Sequence, residues 1–427
     1  MTRQELQDRI HYILVAAIAF TMPFSIKLNS LLILVCALNW FLEENLPQRI
    51  SRSLSSSFNI SLILLFLICI LSALFSINQH EGWAIVERRL SLLAFPLILY
   101  RPVTDNQLRW VCMSFVTGVC LALIYCLISA FIKYLNQSDS NFFFYHTFTS
   151  AIHMHAVYLA AYVVLCIHIM LFYMNRKSRL QRLLLYSSMF ILLPGLLLLS
   201  SKMLSGILLV GIGFWLFYFS GIKRRKRIVV FILFSVFFIS SLYMIPQTRN
   251  RFEFEINSDL GILKKDSFRY DTPFTGTSLR LEIWKLCLSI QQEKKAWFTG
   301  VGTGDFQDLL NKKYSSLGMY MGTPATSDTG FKGYGPHSEY LEMLFELGLP
   351  GLALFLYILL VMVVKAFRSN DYLFLQLMLI LCLFFVTESV LSTNKGIIFS
   401  LFFGVLFYAR NSFEYQMSPG PAPDPEK

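Results

Sequence analysis

The chain has 427 residues, 55% hydrophobic and only 15% charged, against roughly 25% charged in an average soluble domain. Its apolar residues come in blocks such as ISLILLFLICILSALFSI and AVYLAAYVVLCIHIMLFYM, close to the roughly 20 residues a helix needs to cross a bilayer, so a soluble enzyme is excluded. The formal net charge of +11 points to nucleic acid only until its distribution is read, because membrane proteins concentrate Lys and Arg on one side for topological reasons.

About twelve spans are predicted, near residues 10–26, 29–42, 57–77, 85–100, 108–133, 153–174, 183–200, 203–220, 228–245, 338–364, 371–390 and 396–409. The first follows MTRQELQDRI without a small-residue cleavage site and reads as a retained helix rather than a signal peptide. With the N-terminus inside, the inside segments collect Arg49, Arg52, Arg101, Arg109, the NRKSRLQR cluster and the basic run at 223–227. The short outside segments hold only Lys27, Arg88, Arg89, Lys133, Lys202 and Lys395. That asymmetry sets both termini in the cytoplasm, and nucleic acid is not needed to explain the charge.

The fold class is therefore an all-α polytopic membrane protein. Residues 1–245 hold spans one to nine, 246–337 form one large outer loop, and 338–409 hold spans ten to twelve. Residues 410–427 are a cytoplasmic tail whose Pro-rich, acidic SPGPAPDPEK reads as disordered. Loops this long are usually functional or disordered. Here Leu279, Ile283, Leu286 and Ile290 recur at helical spacing, and FQDLLNKKY reads as a second short helix, so the loop is partly folded.

Of the eight cysteines only Cys287 falls in this loop, which leaves it without an evident disulfide partner, and no CxxC spacing suggests a metal. His153 and His155 are two apart and cannot share a helix face. They are not expected to form a metal pair, although one of them can face the outer cavity. GVGTGDF lacks both the GxGxxG spacing and a preceding strand, so its glycines read as a tight turn rather than a dinucleotide site.

The sharpest local feature is GYGPHSEYLEMLFELGLPG, where the loop enters the tenth span. Gly335 as N-cap and Pro336 at the first helical position place His337 in the first turn, where free N–H groups and the helix dipole favour an anion and disfavour imidazolium. Gly348 follows His337 by about three turns, nearly on the same face. With Gly351 it admits the close approach of another helix.

His337 and Ser338, nine further residues, then Gly348-Leu-Pro-Gly351, resemble the His-[Asn/Ser/Gln] and Gly-x-x-Gly signature of the O-antigen ligases, which are similar to O-antigen polymerases and protein O-oligosaccharyltransferases. Upstream, SLRLEIWKLCLSIQQEKKAWFTGVGTGDF is similar to the family's Arg-x-x-x-Trp segment and Gly-x-Gly-x-Gly turn. The resemblance is clearest from about residue 190 to 360. It implies a GT-C-like inverting glycosyltransferase that uses neither metal nor other cofactor. Its donor would be an undecaprenyl-diphosphate-linked glycan and its acceptor a lipid A-core sugar hydroxyl, at the periplasmic face of the bacterial inner membrane. A polymerase would use a second lipid-linked glycan as acceptor, and a lipid-linked sugar transporter is the reading from another class.

Such a transfer needs a base near the attacking hydroxyl and positive charge on the departing diphosphate. His337 is the candidate base, a role in orienting the acceptor being also compatible, with Ser338 beside it at the substrate. Arg280 matches the family's loop arginine and would hold the diphosphate as a bidentate fork. Lys202 stands where the family usually has an arginine, and serves either as a phosphate contact or as a snorkelling lysine. Arg88 and Arg89 either guide the lipid diphosphate or pair with Glu87 or headgroups. Glu388, at the outer end of the eleventh span, is either functional or the buried partner of an arginine. His337 and Arg280 are expected to share one outer-face cavity.

Overall fold

The computed structural model describes residues 3–173, 179–256, 260–323 and 328–417, and all regular structure among them is helical. The acidic tail at 418–427 and part of the NRKSRLQR cluster lie outside the described residues. Five helices are long and apolar enough to cross a membrane: Ser57–Leu74, Asp105–Gln137, Arg182–Leu199, Arg224–Met244 and Glu339–Ser369. Two bent pairs, Ile26–Leu42 with Leu46–Leu54 and Tyr145–Ile152 with Ala156–Phe172, bring the number to seven if each is one span. Lys202–Tyr218 and Tyr372–Thr387 are shorter apolar helices.

The expected span at 85–100 is not one helix. It is two, Gln79–Arg88 and Ser91–Ile98, and eight residues rise only about 12 Å, well short of the roughly 30 Å hydrocarbon core. The break falls at Arg89, whose side chain meets the buried carboxylates of Glu342 and Glu346.

Helix Ala156–Phe172 lies at the centre of the bundle, with every residue from Ala156 to Met170 buried. It packs against Asp105–Gln137, Arg179–Leu199 and Tyr372–Thr387. Helix Arg3–Thr21 lies against Asp105–Gln137, where a Cβ on Gly118 would stand 2.2 Å from the Phe20 carbonyl oxygen. Only glycine permits that approach.

The loop has its own small core. Ile283, Leu286, Cys287 and Ile290 of helix Gly276–Lys294 pack with Phe306, Leu310 and Tyr314 of helix Phe306–Ser316. Ile85 and Phe345 join the same cluster from the bundle, so apolar burial fixes the loop to one end of the membrane helices. All eight cysteines are free.

Helix Glu339–Ser369 breaks at Gly348, whose φ of 70° and ψ of −167° are not helical. Pro350 has no N–H to give the Glu346 carbonyl, and the Leu349 N–H turns away to the Trp297 carbonyl at 2.8 Å. Two carbonyls are thereby freed, and buried ones require donors. The loop supplies them, Val301 N–H to Phe345 at 2.8 Å and Gly302 N–H to Glu346 at 3.1 Å. The segment that Gly348 admits is thus the loop turn at 298–302 and not another helix. A Cβ on Gly351 would meet its own helix's Leu347 side chain.

Candidate active site

The helix that follows His337 starts at Glu339 with Ser338 as N-cap. His337 lies before it, with φ at 49°, because the helix starts three residues later than the Gly-Pro pattern predicted. The approach is pinned by Trp284 Nε1, which donates to the Pro336 carbonyl at 2.7 Å, and by the Tyr314 hydroxyl, which donates to the Tyr334 carbonyl at 2.9 Å. From that anchor the chain must turn sharply to enter the bundle, and it does so in the left-handed region, unfavourable for an L residue. The His337 ring therefore faces a side chain and not the amides of a first helical turn.

That side chain is Glu388, which ends helix Tyr372–Thr387. Its Oε2 lies 3.6 Å from His337 Nδ1, and its Oε1 accepts from Arg280 Nη2 at 3.1 Å. His337 and Arg280 are each 31% exposed, whereas Glu388 is 7% exposed. The two expected partners thus meet on one carboxylate, both partly exposed beside a buried acid.

Arg280 is positioned by helix Gly276–Lys294. Thr275 and Ser278 form its capping box, and Glu255 accepts from the Gly276 and Thr277 N–H groups at 3.0 and 3.1 Å. A carboxylate at a helix N-terminus is favoured by the unsatisfied donors and the dipole. Burial opposes ionisation of Glu255, but these donors and nearby Lys202 outweigh it and hold its pKa below the ordinary carboxylate value.

Lys202 adjoins the same corner. Its Nζ donates to the Arg251 carbonyl at 2.6 Å and lies 3.8 Å from Glu255 Oε1, with the Arg251 and Arg280 charges within electrostatic reach. The Arg251 guanidinium lies 3.5 Å from the Tyr145 ring centroid and donates to the Ser200 carbonyl at 3.4 Å. Beyond Tyr145 the rings of His146 and His155 stand 4.0 Å apart. His155 lies within electrostatic reach of Glu388, Arg280 and Arg251.

Three residues of this corner, Tyr145, Ser200 and His337, have φ of 53°, 49° and 49°. Such conformations cost about 1–3 kcal/mol each and cluster at functional sites. Arg251, Glu255, Tyr145 and His146 were not singled out by the sequence. The available signal was the pair of arginines in QTRNRFEFEI, just beyond a span and without a topological role.

The other sequence candidates lie apart. Arg89 is wholly buried: Nη1 donates to Glu346 Oε2 at 2.6 Å and Nη2 to Oε1 at 3.1 Å, with Glu342 3.5 Å away. Arg88 pairs with Glu81 at 2.7 Å and lines a mostly apolar groove of about 620 Å³ with Ile33, Leu34, Leu93 and Leu97. Neither arginine joins Arg280, and Glu87 is not the ion-pair partner of either. Ser338 is buried, with its hydroxyl 3.5 Å from the Phe385 carbonyl.

A bundle of apolar helices, with cations, imidazoles and carboxylates gathered at the end that carries a folded loop, defines a helical membrane protein. Residues 188–356 match the family model described as O-antigen ligase, and the match supports placing the chain in the O-antigen ligase and polymerase superfamily, whose members are glycosyltransferase-like enzymes. The matched segment contains Lys202, Arg251, Arg280, His337 and both glycine motifs; Glu388, Arg88 and Arg89 lie outside it. No curated protein matches the chain.

Proposed function

We propose that the chain is an O-antigen ligase-like inverting glycosyltransferase that moves a glycan from undecaprenyl diphosphate to a lipid A-core sugar hydroxyl. The reading places the bundle in the bacterial inner membrane, both termini in the cytoplasm and the 246–337 loop in the periplasm. Arg280, with Lys202 and Arg251 behind it, receives the diphosphate. His337 Nδ1 faces Glu388, which leaves Nε2 for the acceptor. Nε2 takes the hydroxyl proton, the oxygen bonds to the donor's anomeric carbon, and the bond from that carbon to the diphosphate breaks, its electron pair leaving with the diphosphate.

The observation that carries this reading is that a base and a guanidinium, 57 positions apart in the numbering, reach one carboxylate within the family-matched segment's corner of the bundle. Charge stabilisation of the leaving group and proton removal are the two demands of the reaction. In this reading both are supplied by this chain's own side chains, and the chelator comparison below tests whether a metal takes part.

The test supplies purified protein with an undecaprenyl-diphosphate glycan and either lipid A-core or a second lipid-linked glycan, with and without chelator. Transfer to lipid A-core is expected, unaffected by chelator and abolished by His337→Ala. Products lengthened on the second donor would instead identify a polymerase. Failure to consume donor with either acceptor would reject the transferase reading in favour of transport.

A further inference from the structure

Glu388 stands between two residues to which the proposed transfer gives opposite tasks. Arg280 must attract negative charge, and His337 must accept a proton. One carboxylate balances one cation, and here it is shared, 3.1 Å from Arg280 and 3.6 Å from His337. The Arg280 Nε is buried without a hydrogen-bond partner, so the guanidinium is incompletely satisfied by Glu388 and the Gly276 carbonyl. A diphosphate carries more charge than a carboxylate and offers a guanidinium several acceptor oxygens. It therefore competes with Glu388 for Arg280.

We propose that Glu388 is a positioning residue that changes partner during the reaction: the arriving donor diphosphate takes Arg280, and the released carboxylate turns to His337. There it fixes Nδ1 and stabilises the imidazolium formed when Nε2 accepts the acceptor's proton. The inference rests on the roles given above to Arg280 and His337. Glu388 stays ionised throughout. The proton moves from the acceptor hydroxyl to Nε2, and the anomeric C–O electron pair leaves with the diphosphate. Donor binding thus completes the base, and the acceptor is activated only when a leaving group is in place. His155, Arg251 and Tyr158 also border this corner, and all three are common to every variant compared below.

The test measures donor affinity and kcat separately for the full chain in detergent, using an undecaprenyl-diphosphate glycan with its acceptor. In Glu388→Gln the donor no longer displaces a carboxylate from Arg280, so its Kd should fall by about tenfold. The imidazolium loses its counterion, so kcat should fall by about a hundredfold. A merely structural role would weaken donor binding and turnover together, and that result overturns the exchange. A lower kcat at unchanged donor Kd overturns it as well. Glu388→Asp keeps the charge but is one methylene too short to serve both partners, and covers a Gln variant that does not fold. Its donor Kd should also fall while kcat partly recovers; an unchanged Kd overturns the proposal. Wild-type protein that fails to consume donor rejects the transfer reading, and the exchange with it. Wild-type turnover with the wrong split between Kd and kcat rejects the exchange alone.

Discussion

Gly348, in the break of the long helix, lies so close to Gly300 of the loop that a Cβ built on it would stand 2.6 Å from the Gly300 nitrogen and 2.3 Å from the Phe298 oxygen. A Cβ on Gly300 would in turn stand 2.1 Å from the Glu346 oxygen. The two glycine motifs are the halves of one joint. It binds the loop that carries Arg280 to the helix that follows His337.

Replacing either glycine by alanine should loosen that joint. Both have φ near +70°, which costs an L residue about 1–3 kcal/mol, and steric overlap with the opposing backbone adds to this. Because both changes break the same contact, the double variant should lose less than the sum of the singles. Thermal unfolding in detergent measures the cycle, and strictly additive losses would mean that the motifs act separately.

Arg280→Lys should slow transfer by about tenfold to a hundredfold, since a planar fork hydrogen-bonded to a charge becomes a single point donor. Lys202→Arg should cost less, because the Lys202 ammonium already bonds the Arg251 carbonyl, a contact that a guanidinium can also make. Steady-state rates for the two variants check the order. A reversed order would move the main diphosphate contact to Lys202.

The neighbours Arg88 and Arg89 should respond in different ways to mutation. Arg89→Met leaves the buried Glu346 and Glu342 carboxylates without their cation and should destabilise the bundle by about 3–5 kcal/mol. Arg88→Ala removes a solvent-facing pair with Glu81, worth at most about 1 kcal/mol. Unfolding midpoints distinguish them, and equal effects would contradict the burial of Arg89.

Glu255 gives the Gly276–Lys294 helix a pH dependence. Its folded pKa is depressed, so its stabilisation is present above the unfolded carboxylate value and is lost as pH falls through the folded one. Below about pH 4 the Gly276 and Thr277 amides should exchange with deuterium faster relative to those of helix Phe306–Ser316. No relative change across that range would show that Glu255 is not what holds the helix start.

Blocks of apolar residues determine helices in a membrane without help from tertiary contacts, because the bilayer's thickness and the need to satisfy backbone groups leave few alternatives. The loop helix was equally legible, since Ile283, Leu286 and Ile290 keep helical spacing and are buried together. Gly348, Pro350 and the GVGTGDF turn were visible as special positions. Local pattern could not say that they join each other, nor that the segment at 85–100 breaks in two.

The partners of charges were decided only by the folded chain. Arg89 reaches Glu346 across 257 residues and Arg280 reaches Glu388 across 108, distances at which helical periodicity, limited to three or four residues, conveys nothing. Arg88 and Arg89 are chemically identical and adjacent, yet one faces outward and the other is buried, because the side of the break that packs against Glu346 is set by the whole bundle. Sequence alone determined a helical membrane protein with His337 and Arg280 as candidates. Tertiary packing decided which carboxylate they share and brought Arg251 and Glu255 to the same corner, since burying a charge requires a partner that only the assembled helices supply.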